Sequence, residues 1–208
     1  MRQDIRQAAP PRVAELWERD FAQRISLAYP GDTARGVFCL SLLDTVGELG
    51  DGVMMRRCLA VSGERGFVAF FNYPIATYLR MVATALPLLA VEHGSTEEAL
   101  RQLGRRAAAD FRKSTAGKAM GVMQAGGDPR RLLDSLPVVY RVALNFGEFE
   151  LTWVAPAHAR FTMRNTFMPV PFHEGVLLEL VRKMNVQRSW VLGCQTEPLD
   201  SEYEIFWE

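Results

Sequence analysis

Residues 148–164 read EFELTWVAPAHARFTMR, and this stretch decides the fold class. Apolar and polar side chains alternate in 148–154 and again in 158–164, and a period of two is typical of strands with one buried face. The connection between them, Ala155-Pro156-Ala157, is short, so the stretch predicts an antiparallel hairpin. Opposite charges are expected to face each other on its solvent side: Glu148 and Glu150 on the first strand, Arg160 and Arg164 on the second.

A second hairpin is predicted at the end of the sequence. Pro169 and Pro171 interrupt the strand pattern, and apolar residues at helical spacing follow in 173–184. Residues 186–194 are predicted to form the first strand of this hairpin, and the alternating segment 202–208 the second. The order hairpin, helix, hairpin indicates a four-stranded antiparallel sheet.

The first two thirds of the sequence have the periodicity of helices. Apolar residues recur every three or four positions, and glycines, prolines and capping residues separate the segments. Thr33 is expected to cap the second helix, Asn72 the fourth and Ser95 or Thr96 the fifth, while Pro137 bends the last. The predicted helices cover 11–28, 33–47, 52–61, 72–93, 95–111 and 129–146.

Together these patterns predict an α+β protein. A helical N-terminal half precedes a four-stranded antiparallel sheet, and the helices pack on one face of that sheet. Residues 1–32 are expected to form a helical extension, and residues 33–208 a single domain. The length of 208 residues is sufficient for one well-packed core.

Composition argues against several classes of partner. The 24 basic residues balance 24 acidic ones, so the chain has no net positive charge with which to hold a nucleic acid. The longest mostly apolar run, 81–91, is far shorter than the roughly 20 residues that a membrane-spanning helix needs. Cys39, Cys58 and Cys194 form no CxxC pair, and the polar N-terminus has no signal-peptide pattern. We therefore expect a cytoplasmic protein with free thiols that binds neither nucleic acid nor membrane.

No motif in the sequence predicts catalysis. The stretch Thr115-Ala116-Gly117-Lys118 lacks the first glycine and the final hydroxyl of a phosphate-binding loop, and no serine has the glycine pattern of a nucleophile elbow. His173 and Cys194 are weak candidates for a metal site, with Glu202 as a third ligand, because a zinc site needs three or four ligands in tight geometry. We expect no catalytic residue, no bound metal and no cofactor.

Several longer segments of the chain carry a family resemblance. They are RGVF (35–38), FFNYPIATYLR (70–80), LGRRAAADF (103–111), GGDPRRLL (126–133), FHEGVLL (172–178) and LDSEYEIFW (199–207). Over residues 33–208 the chain resembles a family of unknown function that is expanded in myxobacteria. More distantly, its last third resembles the vinyl-reductase-type regulatory domains and their relatives, the haem nitric oxide/oxygen-binding sensors (H-NOX) and the TRAPP vesicle-tethering subunits. The resemblance implies their fold and names no activity.

The sequence departs from the haem sensors where they hold haem. Those sensors bind the iron through a histidine on a helix, and the equivalent stretch here, 122–144, contains none. Their Y-x-S-x-R motif for the haem propionates would fall near 161–167, which reads FTMRNTF. The zinc-binding relatives use several cysteines around the last helix, and only Cys194 lies near such a position. The resemblance therefore implies a fold without the usual haem and without the family's metal.

These observations predict a non-enzymatic ligand-binding or regulatory module that takes a small apolar molecule. A concavity between helices and sheet is expected to be lined by aromatic and methionine side chains: Phe71, Tyr78, Phe111, Met120, Tyr140, Trp153, Met163 and Phe167. The same eight residues are also compatible with a closed core. The first alternative function is a protein–protein interaction or homodimerisation module like the TRAPP subunits, and the second is an enzyme.

Overall fold

The structure, a computed structural model, describes residues 13–120, 128–182 and 186–208. The predicted α+β architecture is confirmed, with helices first and a four-stranded antiparallel sheet after them. The helices are α1 (Val13–Leu27), α2 (Gly36–Glu48), α3 (Gly52–Ser62), α4 (Ile75–His93), α5 (Thr96–Lys113), α6 (Thr115–Ala119), α7 (Pro129–Asp134), α8 (Leu136–Ala143) and α9 (Val170–Val181). The strands are β1 (Thr33–Arg35), β2 (Asn72–Pro74), β3 (Glu148–Ala155), β4 (His158–Arg164), β5 (Ser189–Glu197) and β6 (Asp200–Trp207).

The main sheet has the strand order β3-β4-β6-β5, so the last strand of the chain lies inside the sheet beside β4. In the first hairpin Glu148 is opposite Arg164, with 3.8 Å between Oε2 and Nη1, as the sequence predicts. Arg160 does not pair with Glu150. It pairs with Glu204 of β6, at 2.6 Å between Nε and Oε1, because β6 lies on the other side of β4.

Thr33 and Asn72 do not cap helices as expected. They lie in β1 and β2, which pair antiparallel with Arg35 opposite Asn72. Pro74 explains part of the difference, because a proline holds the residue before it in extended backbone. The fourth helix therefore begins at Ile75 rather than at the predicted cap. The pairing of two three-residue strands so far apart in sequence leaves no periodic signal.

Two prolines that the sequence predicts to bend a helix or break a strand lie in the first turns of helices. Pro137 lies in the first turn of α8, and the predicted helix 129–146 is two short helices that meet at Ser135. Pro171 lies in the first turn of α9, which therefore begins before the predicted 173. A proline is tolerated at these positions because the first turn leaves its N–H groups unpaired in any case. The predicted cap of α5 is confirmed, since Ser95 Oγ accepts from the Glu98 N–H at 3.1 Å.

Helix α4 is the central helix of the helical core. Leu79, Met81, Val82 and Ala85 have no exposed surface. With 19 residues and a mean hydropathy of 1.4, α4 is long and apolar enough to cross a membrane, a test that buried helices of soluble proteins also pass. The apolar run 81–91 is thus part of a longer helix, against which α1, α3 and α5 pack.

Helices α5 and α9 cross with their backbones in contact. A Cβ atom at Gly104 would overlap the carbonyl oxygen of Phe172, and one at Gly175 would overlap the carbonyl oxygen of Arg101. Beside this crossing, Arg101 Nε lies 2.8 Å from Glu174 Oε2. The two glycines and the ion pair fix the helical half against the helix that covers the sheet.

Candidate functional site

A cavity of about 80 Å³ lies between the helical half and the sheet half of the protein. Its volume is several times the roughly 10–15 Å³ that one water needs, and below the roughly 300–1,000 Å³ of sites for drug-sized ligands. Apolar side chains form almost all of its wall. They include Phe38, Ile75, Tyr78, Phe111, Met120, Tyr140, Phe146, Phe167, Met168, Phe172, Val176 and Leu180. The cavity therefore suits a small, mostly apolar molecule.

Five of the eight residues proposed from the sequence come together around this cavity. They are Tyr78, Phe111, Met120, Tyr140 and Phe167. Tyr78 and Phe111 belong to the helical half, while Tyr140 and Phe167 belong to the segments that pack on the sheet. Both halves of the chain thus contribute to the cavity wall.

The other three proposed residues lie elsewhere. Phe71 precedes β2 and is 53% exposed, and Met163 is fully buried in the separate core between the sheet and α9. Trp153 lies on the edge strand β3, where its indole N–H donates to Asp134 Oδ1 at 2.9 Å and the Arg130 guanidinium lies 4.4 Å from its ring. None of the three lines the cavity.

Three residues of the cavity wall, Phe38, Phe172 and His173, were not predicted from the sequence. Phe38 stacks on Phe111, with 5.7 Å between ring centroids, and the apolar periodicity of α2 already placed it on a buried face. His173 was considered only as a metal ligand. It projects from the same first turn of α9 as Phe172, and both line the cavity.

The imidazole of His173 is neutral, and only one of its two ring nitrogens has a hydrogen-bond partner among the described residues. The side chain is 3% exposed, and its Nδ1 lies 3.2 Å from the hydroxyl of Tyr140. Its Nε2 has no hydrogen-bond partner among the described residues. Burial, with a smaller contribution from the charge of Arg24, lowers the pKa of His173 to about 3. His173 therefore has one buried, uncharged ring nitrogen that makes no hydrogen bond within the described part of the chain.

Tyr78, another residue of the cavity wall, also has an unsatisfied polar atom. Its side chain is 3% exposed, and its hydroxyl has no hydrogen-bond partner within the described part of the chain. Burial raises the pKa of Tyr78 well above its ordinary value, so the phenol keeps its proton. A buried polar group left without a partner costs about 1–3 kcal/mol. Tyr78 and His173 thus each carry such a cost in the folded protein.

Arg112 is the charged side chain among the cavity-lining residues. It lies near the end of α5 and is partly exposed, and it makes no ion pair with any described residue. Water can therefore solvate its guanidinium, so Arg112 does not by itself require an anionic ligand.

The three metal-site candidates do not come together. Cys194 on β5 lies opposite Glu202 on β6. Cys194 is exposed, whereas His173 is buried beneath the sheet. The described residues hold no group of three or more His, Cys, Asp or Glu side chains placed to bind a metal ion. The other two cysteines are buried thiols, and burial raises the pKa of Cys39 to about 12 and that of Cys58 to about 11. Both thiols are protonated and therefore poor nucleophiles.

The cavity and the two-part architecture around it define an H-NOX-like fold. An H-NOX protein from K. algicida superposes with a TM-score of 0.66 at 13% identity, covering 84% of this chain and 96% of that one. An H-NOX protein from S. oneidensis, solved in the Fe(II)NO ligation state, gives 0.65 at 11% identity, covering 84% and 99%. At this identity the likeness concerns the fold alone.

The family of the chain follows from its sequence. Residues 27–208 match the family model described as protein of unknown function DUF2378, and the chain belongs to that family. This confirms the resemblance to a family of unknown function and the more distant resemblance to the H-NOX fold. No curated protein matches the chain.

Proposed function

We propose that the protein is a non-enzymatic, cytoplasmic ligand-binding module that holds a small apolar molecule in the cavity between its two halves. The cavity of about 80 Å³ with its apolar wall carries this proposal. An apolar molecule that leaves water for such a wall gains the hydrophobic free energy of transfer. Because both halves contribute to the wall, the ligand strengthens their association, and a change in ligand concentration becomes a change in the stability of the whole module.

The residues of the cavity do not fit haem, the group that the fold family implies. The volume of about 80 Å³ lies below the lower end of sites for drug-sized molecules, and haem is larger than most of these. His173 offers a single nitrogen from α9, and Arg112 is the one charged side chain of the described wall that could meet the two propionates. These observations support a ligand other than haem.

Cyclopentane is a suitable first probe, because it is small and has no polar atom. The ¹³C-methyl resonances of Met120 and Met168, both in the cavity wall, report its binding. We expect saturable shifts of these resonances in the wild type. Ala143→Leu adds a larger side chain to the wall and is expected to abolish the shifts, whereas Ala157→Leu in the exposed hairpin turn preserves them. A wild type with no saturable shift, or equal shifts in Ala143→Leu, would contradict the proposal.

A second candidate function is protein–protein interaction or homodimerisation, and one observation favours it. Phe70 and Phe71 are 62% and 53% exposed, and their rings pack edge to face with 4.8 Å between centroids. Neighbouring exposed aromatic side chains are typical of contact surfaces. This function predicts a concentration-dependent dimer in sedimentation velocity that Phe70→Ser/Phe71→Ser dissociates. A strictly monomeric wild type, together with probe binding in the cavity, would favour the first function.

A further inference from the structure

The outer face of the main sheet, opposite α9, has exposed apolar side chains. Helix α9 packs on the inner face, where Val191 of β5 and Ile205 of β6 are buried. On the outer face of β5, Trp190 and Leu192 are 44% and 62% exposed. Apolar residues at the three consecutive positions 190–192 are typical of a strand with both faces buried, whereas a strand with one solvent face alternates. The composition of β5 therefore indicates an outer face that a further molecule covers.

The apolar side chains continue across one end of the outer face. Trp190 lies opposite Phe206 on β6, and Phe206 lies opposite His158 on β4. The rings of Phe206 and His158 stack with 4.1 Å between their centroids. On β3, Val154 precedes Ala155, which lies opposite His158, and Val154 is 51% exposed. A band of largely apolar side chains thus crosses all four strands, and contiguous exposed bands of this kind mark contact surfaces.

The charges beside this band match those of a second copy of the sheet. The outer face of β4 carries the basic residues Arg160 and Arg164, and the outer face of β6 carries the acidic residues Glu202 and Glu204. The two strands are neighbours, with Arg160 opposite Glu204. A twofold axis parallel to the strands, between β4 and β6, lays the basic strand of each copy on the acidic strand of the other. A second copy supplies this match by symmetry, whereas an unrelated protein would need its own complementary pattern.

We propose that the outer face of the sheet is a homodimer interface, in which two sheets pack face to face about this axis. The four strands give each face a width of about 19 Å and a length of roughly 25 Å, so two copies bury on the order of 1,000 Å². That area is at the lower end of specific interfaces, and it predicts a weak, concentration-dependent dimer. The inference goes beyond the ligand-binding function and does not depend on the cavity.

Charge reversals test the axis directly, with sedimentation velocity over a dilution series as the measurement. Arg160→Glu and Glu204→Arg each bring like charges together across the axis, and each is expected to weaken the dimer by at least about 10-fold. An equimolar mixture of the two variants is expected to restore the dimer, because both strand pairs of the mixed dimer again join opposite charges. Mixing does not repair a folding defect. A mixture that stays monomeric while the wild type dimerises would overturn the proposal.

Cys194 gives a second readout on the same face. It is exposed on β5, whereas Cys39 and Cys58 are buried, so a thiol reagent modifies Cys194 in the native protein. We expect the rate of this reaction to fall as the protein concentration rises. Leu192→Asp is expected to abolish both the dimer and the protection of Cys194. Val91→Asp is the matched control, because Val91 is 84% exposed on α4, away from the sheet, and is expected to change neither.

Three outcomes would overturn the proposal. The first is a wild type that is monomeric at every concentration and whose Cys194 reacts at one constant rate. The second is a dimer that Leu192→Asp leaves intact. The third is a dimer that Phe70→Ser/Phe71→Ser dissociates, because these two residues precede β2 in the helical half and such a dimer uses that surface instead.

Discussion

Glu174 accepts a hydrogen bond from the backbone N–H of Gly193, with 2.9 Å between Oε1 and N. Its other oxygen lies 2.8 Å from Arg101 Nε. One carboxylate therefore joins three elements, α5, α9 and β5, and it is only 8% exposed. A buried charge is tolerated here because both oxygens have strong donors.

We predict that Glu174→Ala destabilises the protein by about 2–3 kcal/mol, because it leaves the Gly193 N–H unpaired and the partly exposed Arg101 without its acceptor. Urea unfolding followed by circular dichroism measures the change. Glu148→Ala is the control, since its pair with Arg164 is exposed and is expected to contribute less than about 1 kcal/mol. Equal losses in the two variants would contradict the structural role of Glu174.

At the helix crossing, Gly175→Ala is expected to destabilise by about 1–3 kcal/mol, because the added methyl group overlaps the Arg101 carbonyl oxygen and forces α5 and α9 apart. Helix propensity alone predicts the opposite, since alanine is favoured over glycine inside a helix by about 1 kcal/mol. Gly31→Ala is the matched control, because a Cβ there meets no atom within 4 Å. A Gly175→Ala variant as stable as the wild type would show that the two helices can separate freely.

Stability is expected to depend on pH through His173. The unfolded imidazole titrates near its ordinary pKa of 6.5, while burial lowers the pKa in the folded protein to about 3. Between these values the unfolded state binds the proton and the folded state does not, so the stability present above pH 6.5 is lost as the pH falls towards 3. The slope contributed by His173 approaches about 1.4 kcal/mol per pH unit.

His173→Gln is expected to flatten this slope, while His93→Gln, at the partly exposed end of α4, leaves it in place. Unfolding free energies at pH 7.5, 6 and 5 measure the effect. An unchanged slope in His173→Gln would assign the acid sensitivity to other groups.

Incubation with haem is expected to give no Soret band that survives gel filtration, because the cavity of about 80 Å³ leaves no space for a tetrapyrrole beside His173. Absorbance at the haem maximum relative to protein concentration is the measurement. A stoichiometric band lost in His173→Gln would mean that the cavity opens and that His173 ligates the iron.

Trp153→Phe is expected to destabilise by about 1 kcal/mol, because the ring keeps most of its apolar contact but no longer donates to Asp134. Binding of cyclopentane in the cavity is expected to stay unchanged, since Trp153 does not line it. If a folded Trp153→Phe variant bound the probe more weakly, the prediction would be wrong, and Trp153 would influence binding in the cavity.

The sequence predicted those parts of the fold that depend on local periodicity. The alternation around Phe149 and Phe161 identified the first hairpin, and Ser95 identified the start of α5. The pairing of β1 with β2, in which Thr33 lies opposite Pro74 and Arg35 opposite Asn72, was missed because it joins residues about 40 positions apart, whose contact no pattern of spacing records.

The cavity was only partly predictable for a related reason. Tyr140 and Met163 are both buried residues of the kind that line apolar cavities, yet Tyr140 lies on the wall and Met163 lies in the closed core. Which of them meets empty space depends on the volumes of its neighbours and not on its own residue type. The hydrogen bond between His173 and Tyr140 joins positions 33 apart in sequence, so it could likewise not be predicted from local spacing.

The contact of α5 with α9 also limits how the cavity can change. Ala108 and Phe111 line the cavity from α5, and Val176 lines it from α9. Gly104 and Gly175 bring the two backbones together without an intervening side chain. The backbone contact therefore sets the distance between the parts of the cavity wall that α5 and α9 contribute. Between these two walls, related chains that keep both glycines would therefore differ in cavity width through the side chains at positions 108, 111 and 176, while the helix backbones that carry them stay the same distance apart.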